Sequence, residues 1–250
     1  VRVLLIRRHR QRGQEGVRVF AAHAHPAQPW LETTHLDNHH DVLDLDLEAL
    51  GAGRSPGLTP HSDPVFCVCT HGRHDTCCAE LGRPLAEALS RSHPDQAWEI
   101  SHLGGDRFAG NLLVLPSGLG YGRVTPDAVG DLAEAHLAGR ITPEHLRGRS
   151  AFSMPVQVAE LVVRRELDEW RIDALRLAAP PDASGDRWHT RFVSDDGQVL
   201  EVTVRRSTSP EPQSLTCSAT RSSAFPSYQA GPVRVVSDSS GALPPVVPYS

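Results

Sequence analysis

Residues 64–89 read PVFCVCTHGRHDTCCAELGRPLAEAL and combine an apolar run, a cysteine-rich loop and a leucine repeat. The run at 64–70 is bounded by turn residues, which predicts a buried strand. Leu81, Leu85 and Leu89 recur every four residues and predict one face of a helix. Pro84 should then lie near the first turn of that helix or kink it. The stretch therefore predicts a strand, a cysteine loop and a helix in succession.

The following segments continue this alternation. Residues 97–102 (AWEISH) predict a second strand, and residues 111–124 (NLLVLPSGLGYGRV) predict two strands joined by a turn. The next helix is predicted with Thr125 as N-cap, Pro126 at the first helical position and Gly139 at its C-terminal end. The order strand, helix, strand, hairpin, helix is typical of an α/β fold with a thioredoxin-like sheet, whose cysteines also lie between the first strand and its helix.

The flanking parts of the chain differ in pattern, and we expect three segments. Residues 1–60 predict an N-terminal β-rich segment, and residues 61–150 the thioredoxin-like domain. Residues 151–250 predict a small C-terminal α+β segment with a Pro-rich tail. Within this last segment we expect an amphipathic helix over residues 156–170, a hairpin turning at Asp196-Gly197, and a final strand in residues 214–220.

Composition excludes several classes of function. All 25 basic residues are arginine, so a P-loop or a Schiff-base lysine is excluded. A net charge of −5 without a basic stripe argues against nucleic acid as a partner. No run of about 18 apolar residues is present, so we expect no membrane span. Four of the five cysteines lie in residues 67–78, which favours metal or redox chemistry in a reducing compartment over a disulfide framework.

Two pairs of residues are candidate ligands of a metal centre. Cys69 and Cys78 are separated by eight residues, and His102 and Asp106 by three. Thiolates and imidazoles bind zinc and iron–sulfur clusters. The glycines at 104 and 105 would allow a tight turn that brings the second pair close to the first. Arg107 and Asn111 flank these residues, and either support the candidate ligands by hydrogen bonds or are ordinary surface salt-bridge and turn residues.

Two longer blocks, VCTHGRHDTCCAELGRPLAEAL (68–89) and WEISHLGGDRFAGNLLVLPSGLGYGRV (98–124), resemble the sucrase/ferredoxin-like family of thioredoxin-like ferredoxins. The resemblance is dense across residues 65–124 and thinner elsewhere, as in RGRS at 147–150. It implies a thioredoxin-like ferredoxin core that binds a 2Fe–2S cluster through two cysteines and an H-x3-H pair. The matching positions are Cys69, Cys78, His102 and residue 106, which is Asp here instead of His.

The aspartate at position 106 leaves three interpretations of the fourth ligand. Asp106 binds iron through oxygen, a nearby residue replaces it, or this branch has lost the cluster. The candidate replacements are Cys77, Cys67, His71 and His74. Because histidine ligation raises the potential of an iron–sulfur cluster and a carboxylate would lower it again, we expect a potential between those of plant-type ferredoxins and Rieske proteins.

The function predicted from these residues is electron transfer or redox sensing, without substrate turnover, in the cytoplasm. The partner would be a redox protein that the sequence does not identify. One alternative is a thioredoxin-like thiol oxidoreductase that uses Cys69 and Cys78, although the C-x-x-C signature is absent. A second alternative is a structural zinc protein with the same ligands. The sequence shows no convincing carboxylate pair for a glycosidase.

Overall fold

Fifteen strands and four α-helices occur in the part of the chain that the computed structural model describes, which is residues 2–10, 15–73, 76–209, 212, 214, 216 and 219–236. The strands are β1 (Ile6–Arg7), β2 (Val17–His23), β3 (Trp30–Leu36), β4 (Thr59–Pro60), β5 (Val65–Cys69), β6 (Ala97–Ile100), β7 (Leu112–Leu115), β8 (Leu119–Tyr121), β9 (Leu146–Arg149), β10 (Leu175–Leu177), β11 (Asp182–Ser184), β12 (Arg187–Ser194), β13 (Val199–Thr208), β14 (Pro226–Ala230) and β15 (Arg234–Val236). The helices are α1 (Leu47–Gly51), α2 (Thr76–Ser92), α3 (Val129–Leu137) and α4 (Met154–Leu167).

The central sheet has the strand order β1-β6-β5-β7-β8-β9. Strands β5 and β6 are parallel, and every other neighbouring pair is antiparallel. All five residues of β5 are buried, which explains why this strand reads as a continuous apolar run. Helix α2 connects the parallel pair, and α3 follows the hairpin of β7 and β8. This topology confirms the α/β, thioredoxin-like core predicted from the sequence.

Helix α2 packs on the central sheet with part of its predicted leucine face. Leu85 and Leu89 are fully buried beside Phe66, whereas Leu81 is 51% exposed, so the predicted leucine face is buried only in part. A four-residue step overshoots the helical turn by about 40°, so Leu81 is about 80° away from Leu89 around the helix. Pro84 lies eight residues after the helix begins, not in its first turn.

Helix α3 begins later than predicted. The carbonyl of Thr125 accepts hydrogen bonds from the backbone N–H groups of Ala128 and Val129, so a separate turn precedes the helix. The helix itself starts at Val129, and the predicted N-cap at Thr125 was wrong. Its end is as predicted, because Gly139 adopts a positive φ of 74° just beyond it.

The N-terminal part of the chain contributes to two sheets. Strands β2, β3 and β4 form a three-stranded antiparallel sheet. Phe20 of this sheet contacts Trp98 of the central sheet edge to face, with ring centroids 5.2 Å apart. Strand β1 instead extends the central sheet by pairing with β6. The central sheet therefore has β1, from the N-terminal part of the chain, at one edge and β9 at the other. The segment boundaries at residues 60 and 150 stay predictions.

The C-terminal part is a second antiparallel sheet packed against α4. Its order is β10-β12-β13-β14, with β11 paired to β12 and β15 to β13. The predicted hairpin at Asp196-Gly197 is confirmed between β12 and β13. Helix α4 ends before Trp170, which the prediction had included. The expected strand in residues 214–220 and the Pro-rich tail lie largely outside the described residues.

A buried ion-pair network holds α4 to the edge strand β9. One carboxylate oxygen of Glu160 accepts hydrogen bonds from Arg149 at 3.0 Å and from Arg164 at 3.0 and 3.1 Å. All three residues are at most 4% exposed. These buried ion pairs connect α4 of the C-terminal segment to β9 of the central sheet. None of the described helices has the length and apolar character needed to cross a membrane.

Candidate metal centre

Two buried cysteines meet where the central strand ends and helix α2 begins. Cys69 is the last residue of β5, and Cys78 lies in the first turn of α2; each is 1% exposed. The helix approaches the strand closely because Gly82 faces the backbone of Cys69. A Cβ atom at Gly82 would lie 2.0 Å from the carbonyl oxygen of Cys69, which no side chain permits.

His102 joins the two cysteines from the neighbouring parallel strand. Strand β6 pairs with β5 in a register that sets Ile100 opposite Cys69, so His102 follows at the same edge of the sheet. The sulfur atoms of Cys69 and Cys78 and a ring nitrogen of His102 all lie within 4.8 Å of one another. The structure thus brings together three of the four residues predicted from the sequence.

Asp106, the fourth predicted residue, borders this group and is 5% exposed. Its Oδ1 atom accepts a hydrogen bond from the Cys78 thiol at 3.4 Å and lies 3.4 Å from Nδ1 of His102. Gly104 and Gly105 precede it with φ values of 88° and 78°, which is the tight turn expected from these glycines. The carboxylate is therefore beside the three donors and touches two of them.

A hydrogen-bonded pair supports the turn that carries Asp106. Asn111, 1% exposed, donates from its side-chain nitrogen to the carbonyl of Gly105 at 3.0 Å. Arg147 of β9 donates to the side-chain oxygen of Asn111 at 2.9 Å. Asn111 is therefore a buried residue that holds the turn by a hydrogen bond to its backbone. Arg107 instead stacks on the ring of Phe108, with 4.7 Å from its Cζ atom to the ring centroid.

The alternative fourth ligands differ in position. Cys67 is buried in β5, where its thiol faces the carbonyl of Val65 at 3.9 Å, and burial raises the pKa of this thiol to about 12. Cys77 is half-buried and donates to the backbone carbonyl of Asp106 at 3.4 Å. His71 is half-buried, and His74 lies outside the described residues. Of these, Cys77 contacts the same turn as the candidate ligands.

The electrostatics of the cysteine pair favour a bound cation. Burial raises the pKa of Cys78, and the neighbouring Cys69 and a hydrogen bond to Asp106 raise it further. Two adjacent thiolates and a carboxylate would repel one another in this buried position without positive charge between them. A coordinated metal removes that repulsion and deprotonates its thiol ligands. The group is thus suited to a thiophilic metal.

Sequence reasoning overlooked two supporting residues. Gly82 lies in the interior of α2, where glycine destabilises a helix by roughly 1 kcal/mol relative to alanine. A glycine inside a predicted helix could have indicated this role, because such an unfavourable residue usually has a packing reason. Arg147 had no comparable signal, since its partner Asn111 lies 36 residues away in the sequence.

Comparisons with known proteins agree with the family indicated by the sequence blocks. The sequence model of the sucrase/ferredoxin-like family matches residues 8–148. Two curated relatives are both called altered inheritance of mitochondria protein 32. The one from Debaryomyces hansenii is 33% identical over 95 residues, which are 34% of this chain and 35% of the relative. The one from Candida glabrata is 26% identical over 102 residues, which are 35% of this chain and 33% of the relative.

The chain therefore spans about a third of the length of the curated relatives it matches. Among solved structures, the thioredoxin-like [2Fe-2S] ferredoxin from Aquifex aeolicus aligns at 18% identity with a TM-score of 0.31, covering 36% of this chain and 94% of that one. A cysteine-to-serine variant of that ferredoxin aligns at 19% identity with the same TM-score, covering 35% and 100%. Because the family match extends over more than half of the residues, the chain belongs to the sucrase/ferredoxin-like family.

Proposed function

We propose that this protein binds one 2Fe–2S cluster through Cys69, Cys78, His102 and Asp106 and functions in electron transfer or redox sensing. The observation that carries the proposal is the convergence of two buried thiols and an imidazole within 4.8 Å, with a buried carboxylate in contact. Its partner would be a cytoplasmic redox protein.

The donor set fits such a cluster by its chemistry. Each iron of a 2Fe–2S cluster takes two protein ligands, and cysteine and histidine both serve in known centres. Here the two cysteines come from β5 and α2, and the histidine and aspartate from the turn after β6. The two cysteines would bind one iron, and the histidine and aspartate would bind the other. The cluster would supply a one-electron redox couple when bound.

The residues of the chain hold and shield this centre. Both cysteines are 1% exposed and Asp106 is 5% exposed, so water is largely excluded from one side, whereas the half-buried ring of His102 leaves an edge near the surface. An electron can pass to a partner through the exposed edge of the His102 ring, so no substrate needs to enter the site. The pair of Asn111 and Arg147 keeps the turn before Asp106 in place.

The burial of the two cysteines argues against the thiol-enzyme alternative. A catalytic cysteine must be partly exposed so that its thiolate can attack a substrate. Cys69 and Cys78 are each 1% exposed and therefore lack that access. A structural zinc site remains the competing assignment, because one tetrahedral ion also takes two thiolates, an imidazole and a carboxylate. Metal analysis separates the two.

A pair of cysteine variants tests the assignment of the ligands. Cys69→Ala should abolish visible absorption of anaerobically purified protein, whereas Cys67→Ala should retain it. The two residues are matched, since both are buried in β5 and two positions apart. Equal absorption in the two variants, or its loss in both with the fold retained by circular dichroism, would contradict the proposal.

A further inference from the structure

Three arginines surround one phenylalanine ring next to the candidate metal centre. The Cζ atoms of Arg147, Arg107 and Arg123 lie 4.4, 4.7 and 5.4 Å from the ring centroid of Phe108. We call these three arginines and Phe108 the arginine patch. Arg123 is exposed, and Arg107 is partly exposed, with its Cζ atom also 4.6 Å from the ring centroid of Phe225. Arg147 is exposed as a residue, but its guanidinium group turns inward and donates to Asn111. Cation–π attraction holds the guanidinium groups over the ring, and Arg123 is the member most open to solvent.

The positive charge of the arginine patch is not neutralised by the described residues. No salt bridge between any of its three arginines and a described carboxylate is present, although the whole chain carries a net charge of −5. Burial and the nearby charge of Arg107 lower the pKa of Arg147, so the guanidinium groups are close enough to repel each other. This acidic protein thus carries a local concentration of positive charge at the arginine patch.

The arginine patch adjoins the turn that carries the candidate ligands. Arg107 and Phe108 follow Asp106 directly in the chain, within the same short 3-10 helix. The guanidinium nitrogens of Arg147 come within 2.7 Å of the point where a Cβ atom on Gly105 would lie. The backbone N–H of Arg123 donates to the carbonyl of Phe108 at 2.8 Å. A molecule bound at the patch would therefore lie next to the metal centre.

We propose that the arginine patch is the docking surface for a redox partner protein that presents a cluster of carboxylates. This inference rests on the proposed function, because it names the partner of the same centre. Arginine binds carboxylates in a bidentate geometry, and complementary charge raises association rates and orients the partner. The three guanidinium groups come from separate segments around one ring, which suits the spaced carboxylates of a protein surface better than one small anion.

The first test measures binding of a fluorescein-labelled oligoglutamate peptide by fluorescence anisotropy at low salt. The test variant is Arg107→Gln/Arg123→Gln, and the matched control is Arg176→Gln/Arg234→Gln, which removes the same charge from exposed positions on β10 and β15. We expect the affinity to fall by about tenfold in the test variant and by less than about twofold in the control. Equal affinities of the two variants would overturn the proposal.

A competition experiment separates a protein surface from a small-anion site. Inorganic phosphate and sodium chloride, added at equal ionic strength, should displace the peptide equally if the patch recognises spaced carboxylates. Displacement by millimolar phosphate alone would assign the patch to a small anion and overturn the docking proposal. Peptide binding does not require the metal centre. A colourless protein that binds the peptide would contradict the proposed cluster, and with it the redox role of the partner, but not the carboxylate-binding surface.

A second test uses the direction of a salt effect on electron transfer. Ferricyanide, a trivalent anion, should oxidise the reduced protein more slowly as ionic strength rises, because the local patch attracts it. The net charge of −5 alone would give the opposite dependence. In the Arg107→Gln/Arg123→Gln variant the rate at low salt should fall by about tenfold. A rate that rises with salt in the unsubstituted protein would contradict steering by the patch.

Discussion

Replacing Asp106 by histidine should raise the reduction potential of the proposed cluster by about 100–200 mV. The Oδ1 atom of Asp106 lies 3.4 Å from both the Cys78 sulfur and the His102 ring nitrogen, and the residue is 5% exposed. A unit charge about 4 Å away at an effective dielectric constant of about 20 contributes about 4 kcal/mol. At about 59 mV for each 1.4 kcal/mol of a one-electron couple, this energy corresponds to roughly 170 mV.

Asp106→His removes the negative charge while supplying a nitrogen ligand at the same position. The potential is measured by redox titration monitored by EPR, at several pH values. Asp182→His on β11 is the control, because that carboxylate is exposed on the C-terminal sheet and its loss should shift the potential by less than about 20 mV. A potential that stays within about 30 mV of the unsubstituted protein, or that falls, would refute a charged Asp106 beside the iron.

Three further substitutions test how the fold supports the centre. Gly82→Ala should destabilise the protein by about 1–3 kcal/mol and abolish the visible bands, since its Cβ would displace the carbonyl at the end of β5. Glu160→Gln should lower the free energy of unfolding by about 3–5 kcal/mol, measured by urea titration, because it leaves Arg149 and Arg164 buried without a counter-charge. His136→Leu should make the stability of the protein less sensitive to acid. Burial lowers the pKa of His136 to about 4, so the unfolded chain binds this proton first as the pH falls below about 6.5. The unsubstituted protein should therefore lose about 2 kcal/mol of unfolding free energy between about pH 7 and about pH 5, and the variant should retain it.

Matched variants provide the controls for these substitutions. Gly130→Ala has no atom within 4 Å of the new Cβ and should stabilise α3 by up to about 1 kcal/mol with the bands unchanged. Glu201→Gln breaks an exposed pair with Arg191 and should cost less than about 1 kcal/mol. Equal effects of Gly82→Ala and Gly130→Ala would contradict the close packing of α2 on β5. Equal effects of Glu160→Gln and Glu201→Gln would contradict the contribution of the buried ion pairs. The same stability loss at acid pH with and without His136 would contradict its buried, neutral state.

The sequence predicted the central sheet because local pattern and topology agree there. The run of β5 is apolar at every position since both of its faces are buried, and the two cysteines stand at the strand end and the helix start. His102 and residue 106 were predicted beside them from the glycines at 104 and 105 and from the family resemblance. The parallel pairing of β5 and β6 explains why His102 lies at the same edge of the sheet. The predicted core therefore follows from local sequence pattern, whereas the predicted group of donors also needed the family resemblance.

Features that depend on distant residues were not predictable in this way. Strand β1 joins the central sheet through only two residues, too few for a periodic pattern. The buried network of Glu160 with Arg149 and Arg164 reads in sequence as ordinary surface charge, because burial is decided by the packing of α4 against β9. The three cations of the arginine patch lie in separate segments and meet only in the folded chain.

Iron, acid-labile sulfide and zinc content of the anaerobically purified, unsubstituted protein is the most direct test of the 2Fe–2S assignment. About two irons and two sulfides per chain, with visible absorption and little zinc, is the result expected from the donor set of Cys69, Cys78, His102 and Asp106. One zinc per chain and no sulfide would contradict the assignment and identify a structural zinc site instead.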